Sequence, residues 1–472
     1  MSQRQVVRHL ATLALALGLG WMATGCGGGA ASNSVAPTSV TRTQIKIGDT
    51  PADSILAFQL IVTGLDLLQQ GNAKVNVLNH TEEIELTHLA GTVEPLTVAM
   101  VGAGTYTGAA VAISNVEVSY LPMGSSSPVE KKFALNTTIN VAFNPNITIS
   151  NQPMVLSLDL NLAQSLSFDA AGNVTAVNPV FTASNAMVAA EGEQDEESGK
   201  VEDLVGTVST VTPASGNTPA SFAVTPQSGG SDQTFTVDAN TKFEDGLTQF
   251  SDLKTGMMVK VDATTQTDGS LLASDVEMTE ASNGLEADGV VMTTTGNPVP
   301  VTSLTLLVQD EAGSMGMNMV GTQLNVDVSK ATFRSPMNDA DLSSLLQSLP
   351  FTPKFDNTTV AVGQRVEVNA AANPQTQSIF LADSVRLGKQ ALTGTVGPPI
   401  AASASFSLTL DADSVFVTLT KLSSVDVYQV PKTQLQGISS VAQGTKVRVR
   451  GLLFFDSTTS KYQFVAARIT QP

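Results

Sequence analysis

Short apolar and alternating segments follow one another along the chain from residue 45 to residue 188. Residues 58–62 and 156–162 are examples, because each runs apolar or alternates with polar residues over the length of one strand. Turn-forming pairs such as Gly71-Asn72 separate these segments. Short strands at regular spacing are typical of a β-sandwich. The pattern therefore predicts an N-terminal β-sandwich domain at residues 45–188.

A pattern that occurs three times fills the chain beyond residue 204. Each copy has a first glycine among valines and, further on, a second glycine before an alternating strand. These glycine pairs are Gly206 and Gly256, Gly289 and Gly363, and Gly394 and Gly444. Such strands suit a small OB-like β-barrel, and a partly filled single sheet is the alternative. We expect an all-β protein whose sandwich is followed by three small OB-like β-barrel repeats, at residues 204–280, 285–388 and 390–472.

The strand after the second glycine predicts which residues enter the core of each repeat. In the third copy, Val447 and Val449 alternate with Lys446, Arg448 and Arg450. Because successive side chains point to opposite faces of a strand, we expect buried valines and three cations on a solvated face. The preceding glycine is expected to adopt φ > 0 in a turn. A basic groove for single-stranded nucleic acid is the less favoured alternative.

Net charge argues against nucleic acid as a partner. The chain has 24 Lys and Arg residues against 42 Asp and Glu residues, which gives a formal charge of −18. Affinity for phosphate backbones depends on cationic side chains that release counterions, so we predict no nucleic-acid partner. A dense acidic stretch at residues 191–203 cannot bury a core, and we interpret residues 189–203 as a solvated linker.

The N-terminus predicts export and a lipid anchor. Arg4 and Arg8 precede a short apolar run, and small residues lead to Cys26, the single cysteine of the chain. This arrangement resembles a bacterial lipobox, so residues 1–25 are predicted to be a signal peptide, Cys26 the lipid attachment site and residues 26–44 a flexible tether. Gly27 after the cysteine resembles the signal for outer-membrane sorting. The alternative is an ordinary secretory signal with an unrelated cysteine.

Metal-ligating residues are sparse. Met315, Met317 and Met319 alternate in an insertion of the second repeat and are weak candidates for cuprous copper, although flexible methionines also pack cores. The second repeat is lengthened further by a short helix predicted after Asn338. His80 and His88 flank three glutamates without zinc-site spacing, and Glu85 and His88 are expected on opposite faces of a strand. We predict no metal, no cofactor and no catalytic residue.

Two families of bacterial lipoprotein domains resemble the chain. Residues 45–185 are similar to the domain of unknown function forty-three eighty-two, through motifs at residues 49–53, 61–65, 84–86 and 101–108. The three repeats resemble the domain of unknown function fifty-six sixty-six, through the L-x-x-G-x-x-V-x-V and L-A-x-x-V patterns, although the third copy has no clear counterpart of residues 235–238. The resemblance implies β folds and a location in the cell envelope, and it supplies no catalytic residues.

The expected function is therefore that of a lipid-anchored cell-envelope protein with a non-catalytic binding or structural scaffold role. Its membrane partner is reached through the anchor, and an envelope protein or polysaccharide is the expected second partner. The alternative is a copper- or calcium-handling envelope lipoprotein, using the methionines or the acidic linker. A hydrolase with an unrecognised site is disfavoured, because no nucleophile motif and few histidines are present.

Overall fold

Strands make up nearly all the regular structure of the protein. The computed structural model describes residues 40–50, 52–71, 73–89, 93–150, 152–187, 200–227, 232–244, 246–266, 268–279, 285–296, 300–313, 319–335, 349–370, 379–400 and 405–471. The predicted signal peptide, Cys26, most of the acidic linker, Met315, Met317 and the helix predicted after Asn338 lie outside these residues. Among the described residues, no helix has the length and apolar character needed to cross a membrane.

The N-terminal domain is a β-sandwich of two sheets. The first sheet has the order β11-β8-β1-β5, and the second has the order β3-β2-β6-β7 with β4 also paired to β2. The strands of the first sheet are β1 (Val40–Thr50), β5 (Val93–Gly102), β8 (Met154–Asn161) and β11 (Phe181–Met187). Those of the second are β2 (Ile55–Gln69), β3 (Lys74–Leu78), β4 (Glu82–Glu85), β6 (Gly104–Tyr120) and β7 (Val129–Ile149). A short helix α1 (Leu162–Ser165) leads into the hairpin of β9 (Leu166–Phe168) and β10 (Val174–Val177).

Alternation along the strands builds the core between the two sheets. In β8, Leu156, Leu158 and Leu160 are buried, while the residues between them are partly exposed. The period of two places every second side chain against the facing sheet. Ile45 of β1 and Phe58 of β2 belong to the same core, so both sheets contribute to one apolar layer.

Two predicted boundaries are wrong. The tether was expected to reach residue 44, but β1 begins at Val40, and Thr43 and Gln44 are buried. β1 is a central strand that pairs with β5 and β8, and Oε1 of Gln44 accepts a hydrogen bond from Thr265 of the first repeat. The acidic linker was expected to reach residue 203, but Val201 is buried in a strand that starts at Lys200.

The first repeat is a closed barrel. Its five main strands have the order β14-β13-β12-β16-β17, and a parallel pairing of β14 with β17 closes the ring. The strands are β12 (Lys200–Thr212), β13 (Ser221–Pro226), β14 (Gln233–Thr236), β15 (Lys242–Glu244), β16 (Met258–Thr265) and β17 (Leu271–Met278). A 3₁₀ turn at Phe250–Asp252 precedes β16.

The second repeat follows the same path with a divided last strand. β23 pairs with β20 at one end of the curved sheet, and β24, which follows it in the chain, pairs with β22 and with β21 at the other end. The strands are β18 (Leu285–Thr295), β19 (Ser303–Gly313), β20 (Gln323–Asp327), β21 (Thr332–Arg334), β22 (Arg365–Ala370), β23 (Phe380–Leu381) and β24 (Ser384–Leu387).

The third repeat is a closed five-stranded barrel. Its strands are β25 (Lys389–Pro399), β26 (Ser405–Leu410), β27 (Ser424–Gln436), β28 (Lys446–Asp456) and β29 (Lys461–Thr470), and helix α2 (Val415–Thr420) connects β26 to β27. The counterpart of residues 235–238, which sequence comparison did not find, is part of β27. This strand pairs with β26 and β29 as β14 pairs with β13 and β17.

Each of the six repeated glycines occupies a position that disfavours any other residue. Gly256, Gly363 and Gly444 have φ values of +90°, +84° and +85°, as predicted. Each donates its N–H over 2.8 Å to a carbonyl of the first strand of its own repeat. At the first glycine of each copy, a Cβ atom would collide with a backbone carbonyl of the next strand. The colliding pairs are Gly206 with Thr225, Gly289 with Leu307, and Gly394 with Thr409.

Residues 39–472 form one compact unit, and the repeats share cores with their neighbours. Leu56 of the sandwich, Leu307 of the second repeat and Val415 of the third repeat pack in one small cluster. Leu452 and Phe454 of the third repeat belong to the core of the second. The barrels are therefore not independent units, since apolar side chains on the outside of β28 are buried by another repeat.

Candidate functional site

An acidic cavity lies where the sandwich, the first repeat and the second repeat meet. Its volume is about 360 Å³. The ionisable side chains that line it come from both sides of the junction: Glu83, Glu85, His88 and Glu94 from the sandwich, and Asp310 and Glu311 from β19. Among the described residues that line the cavity, His88 is the only one whose side chain can carry a positive charge.

Glu85 shapes the sandwich side of the cavity. It is the last residue of β4, and its carboxylate accepts hydrogen bonds from the backbone N–H groups of Phe58 (2.7 Å), Thr87 (3.0 Å) and His88 (2.7 Å). These bonds hold a 3₁₀ turn at Thr87–Leu89 directly after the strand. The carboxylate thereby satisfies backbone donors that would otherwise be buried without partners.

His88 is held between two carboxylates. Its Nδ1 lies 3.3 Å from Oε2 of Glu85, and its Nε2 lies 3.6 Å from Oε2 of Glu94. Burial alone would lower the pKa of His88, but the hydrogen bond with Glu85, the pairing with Glu94 and the charge of Asp310 raise the pKa well above its usual value. An imidazolium carries an N–H on both ring nitrogens, so a carboxylate near each of them favours the charged ring.

Glu311 titrates on the opposite wall. Burial raises its pKa to about 7, and the charges of Asp310 and Glu83 act in the same direction, against a hydrogen bond from the backbone N–H of Met319. Like charges that face each other disfavour ionisation. The cavity therefore changes its charge near neutral pH on the repeat side.

Sequence reasoning placed His88 wrongly and missed its partners. Glu85 and His88 were expected on opposite faces of a strand, but β4 ends at Glu85 and the turn brings the ring back to that carboxylate. His80 lies apart, where it pairs with Glu82. No local sequence pattern predicts that Glu94 and the acids of β19 belong to this site, because only the packing of separate strands brings them to the cavity.

The methionine candidates do not appear as a cluster among the described residues. Met319 is a buried residue of the second repeat's core, and its backbone N–H donates to Glu311 over 3.0 Å. Met315 and Met317 lie outside the described residues. For Met319, the structure therefore shows core packing, which the sequence analysis gave as the alternative to copper binding.

One group of carboxylates among the described residues has the spacing of a metal site. Glu244, Asp275 and Glu277 place one oxygen each within 4.8 Å of one another. Glu277 is, however, bound by Arg386 of the second repeat over 2.9 Å, and the adjoining cavity of about 130 Å³ is also lined by Lys260 and Arg450. These cations balance the carboxylates, so the group joins two repeats by ion pairs.

The basic face predicted for the third repeat is not solvated. Arg448 and Arg450 are buried, and only Lys446 is largely exposed. Arg448 donates from Nη2 to Oδ1 of Asp53 in the sandwich over 3.0 Å and to Oγ1 of Thr393 over 2.7 Å. Val447 and Val449 are buried on the other face, as predicted. Both faces of β28 are therefore covered, and no cationic groove exists there.

Comparison with known proteins gives one family match. The family "Domain of unknown function (DUF5666)" matches residues 205–277, which lie in the first repeat. The search of curated proteins finds no match. One similar solved structure is titled "drosophila Unr CSD456", at 11% sequence identity and a TM-score of 0.13, covering 57% of this chain and 97% of that chain. A TM-score this low carries no conclusion, and the OB-like assignment follows from the strand order itself.

Proposed function

We propose that the protein is a lipid-anchored cell-envelope protein with a non-catalytic scaffold role. The observation that carries this proposal is that each repeat makes its own buried polar contact with the sandwich. The three contacts are Thr265 to Gln44 (2.8 Å), Gln309 to the carbonyl of Leu56 (2.7 Å) and Arg448 to Asp53 (3.0 Å). Buried polar contacts of this kind fix one arrangement of neighbouring domains, which a scaffold requires.

The location rests on the N-terminal sequence. The small residues before Cys26 resemble a lipobox, and Gly27 after it resembles outer-membrane sorting. The similarity of residues 45–185 to the domain forty-three eighty-two, found in bacterial lipoproteins, agrees with that location. The proposed partners are the membrane, reached through the lipid, and an envelope protein or polysaccharide.

Membrane fractionation tests the anchor. Cys26→Ser should move the protein into the soluble fraction, because the thiol that carries the acyl chains is removed. Ser32→Ala, in the predicted tether, should remain with the membranes. Retention of the Cys26→Ser protein in the membrane fraction would show that another anchor exists.

Association of proteolytic fragments tests the scaffold. A glutamate-specific protease is expected to cut within residues 191–199, because the charge of this segment opposes burial. The sandwich and the repeats should then elute together in gel filtration, because three buried contacts join them. Separate elution of the two fragments would contradict the scaffold, whatever the result with Cys26.

A further inference from the structure

The turn that carries His88 is a point of contact between the sandwich and the second repeat. Arg365 of β22 donates from Nη1 to the backbone carbonyl of His88. The same guanidinium holds Asp288 of β18 through two hydrogen bonds of 2.6 and 3.0 Å. Gln309 of β19 donates to Oγ1 of Thr87 over 3.0 Å. A change in the conformation of this turn would therefore alter the hydrogen bonds at the interface.

Carboxylates line the cavity around His88 from both sides of the junction. On the sandwich side these are Glu83 and Glu85 of β4 and Glu94 of β5, and on the repeat side they are Asp310 and Glu311 of β19. Two other cations belong to elements that contact the turn, and neither lines the cavity. Arg365 is engaged with Asp288 and backbone carbonyls, and Lys46 is buried in β1. The imidazolium of His88 is thus the charge that balances carboxylates on both sides of the junction.

We propose that this junction is a proton-dependent latch, in which protonated His88 holds the sandwich against the second repeat and loss of its proton loosens the contact. Without the imidazolium, the two sandwich glutamates on either side of the ring lose their shared cation. The acids of β4 and β5 then face those of β19 across the cavity, and like charges at short range repel.

The direction of the pH effect follows from two groups. The pKa of His88 is higher in the folded protein than in the unfolded chain, so its contribution is complete below its unfolded value and is lost as the pH rises through the folded value. The pKa of Glu311 is also raised, to about 7, so this residue adds negative charge over the same rise in pH. Both groups weaken the contact on the alkaline side.

Hydrogen exchange measured by mass spectrometry between pH 6 and pH 9 tests the latch in the full mature chain. After correction for intrinsic exchange, the protection of residues 85–89 and of β19 should fall with rising pH, about tenfold for each unit by which folding raises the pKa of His88. β29 in the third repeat, which contributes no residue to the cavity lining, should show no such fall. Constant protection of β19 over this range would overturn the proposal.

Two histidine variants separate the latch from general alkaline weakening. His88→Gln keeps a hydrogen-bonding side chain without the charge, so protection should be low throughout and should keep only the part of the pH dependence that Glu311 contributes near pH 7. His80→Gln is the matched control, since neither His80 nor its partner Glu82 lines the cavity, and it should retain the dependence. A His88→Gln protein that keeps the full pH dependence would refute the proposal.

Direct titration keeps the test decisive if His88→Gln does not fold. After signal removal, the chain contains only His80 and His88, so labelled imidazoles give two resonances. One of them should titrate well above the usual histidine range, and Glu311→Gln should shift the loss of β19 protection to higher pH. Two histidines that both titrate at or below the usual value would exclude the latch.

Discussion

Replacing Arg448 with methionine should show how much the contact between the third repeat and the sandwich contributes to the free energy of unfolding. Methionine keeps the apolar length of the side chain but removes the charge that faces Asp53. Asp53 would then remain in a buried position with hydrogen bonds from the N–H and the hydroxyl of Thr393 and no cation. Removing one partner of a buried ion pair typically costs about 3–5 kcal/mol, and we expect Arg448→Met to lower the free energy of unfolding by that amount.

Urea unfolding followed by circular dichroism measures this loss, with the Cys26→Ser chain as the reference. Lys446→Ser is the matched control on the same strand, because its ion pair with Asp411 is exposed at the surface. The control should change the free energy of unfolding by no more than about 0.5 kcal/mol. An Arg448→Met protein as stable as the Lys446→Ser protein would refute the reasoning and restore the solvated basic face.

A double-mutant cycle with Asp53→Asn isolates the pair itself. The double variant should be destabilised by less than the sum of the two single variants, since neither then leaves a buried charge alone. Burial raises the pKa of Asp53 against the opposing charge of Arg448, so removal of Arg448 should raise it further. The loss in free energy of unfolding caused by Arg448→Met should therefore become smaller as the pH falls and Asp53 takes up a proton.

Two further substitutions test the barrels. Gly289→Ala should destabilise the protein by about 1–3 kcal/mol in the same urea assay, because its Cβ would collide with the carbonyl of Leu307. Gly64→Ala is the control: its Cβ would lie 3.5 Å from the nearest carbonyl, so the free energy of unfolding should change by no more than about 0.5 kcal/mol. Equal losses in the two variants would contradict the collision. Val447→Asp should cost about 4 kcal/mol or more, since it buries an unpaired charge in the third barrel, and a loss under about 1 kcal/mol would show that the register is shifted.

Much of the fold follows from local pattern. The glycine before each alternating strand predicted a turn with φ > 0, and Gly256, Gly363 and Gly444 have it. The valines after Gly444 were predicted to be buried, and Val447 and Val449 are. These features depend on the alternation of side chains along one strand and on the steric freedom of one residue, which are properties of a few consecutive positions.

Only the tertiary structure decided what covers the outer faces of the strands. Arg448 was expected in water, yet it meets Asp53, a residue 395 positions away in the chain. Gln44 was expected in a tether, and it is buried against Thr265. The cavity around His88 likewise combines acids from segments that no periodicity connects. Alternation determines which side chains share a face, but the partner of that face is set by how separate domains pack, because buried charge is stable only where a distant partner balances it.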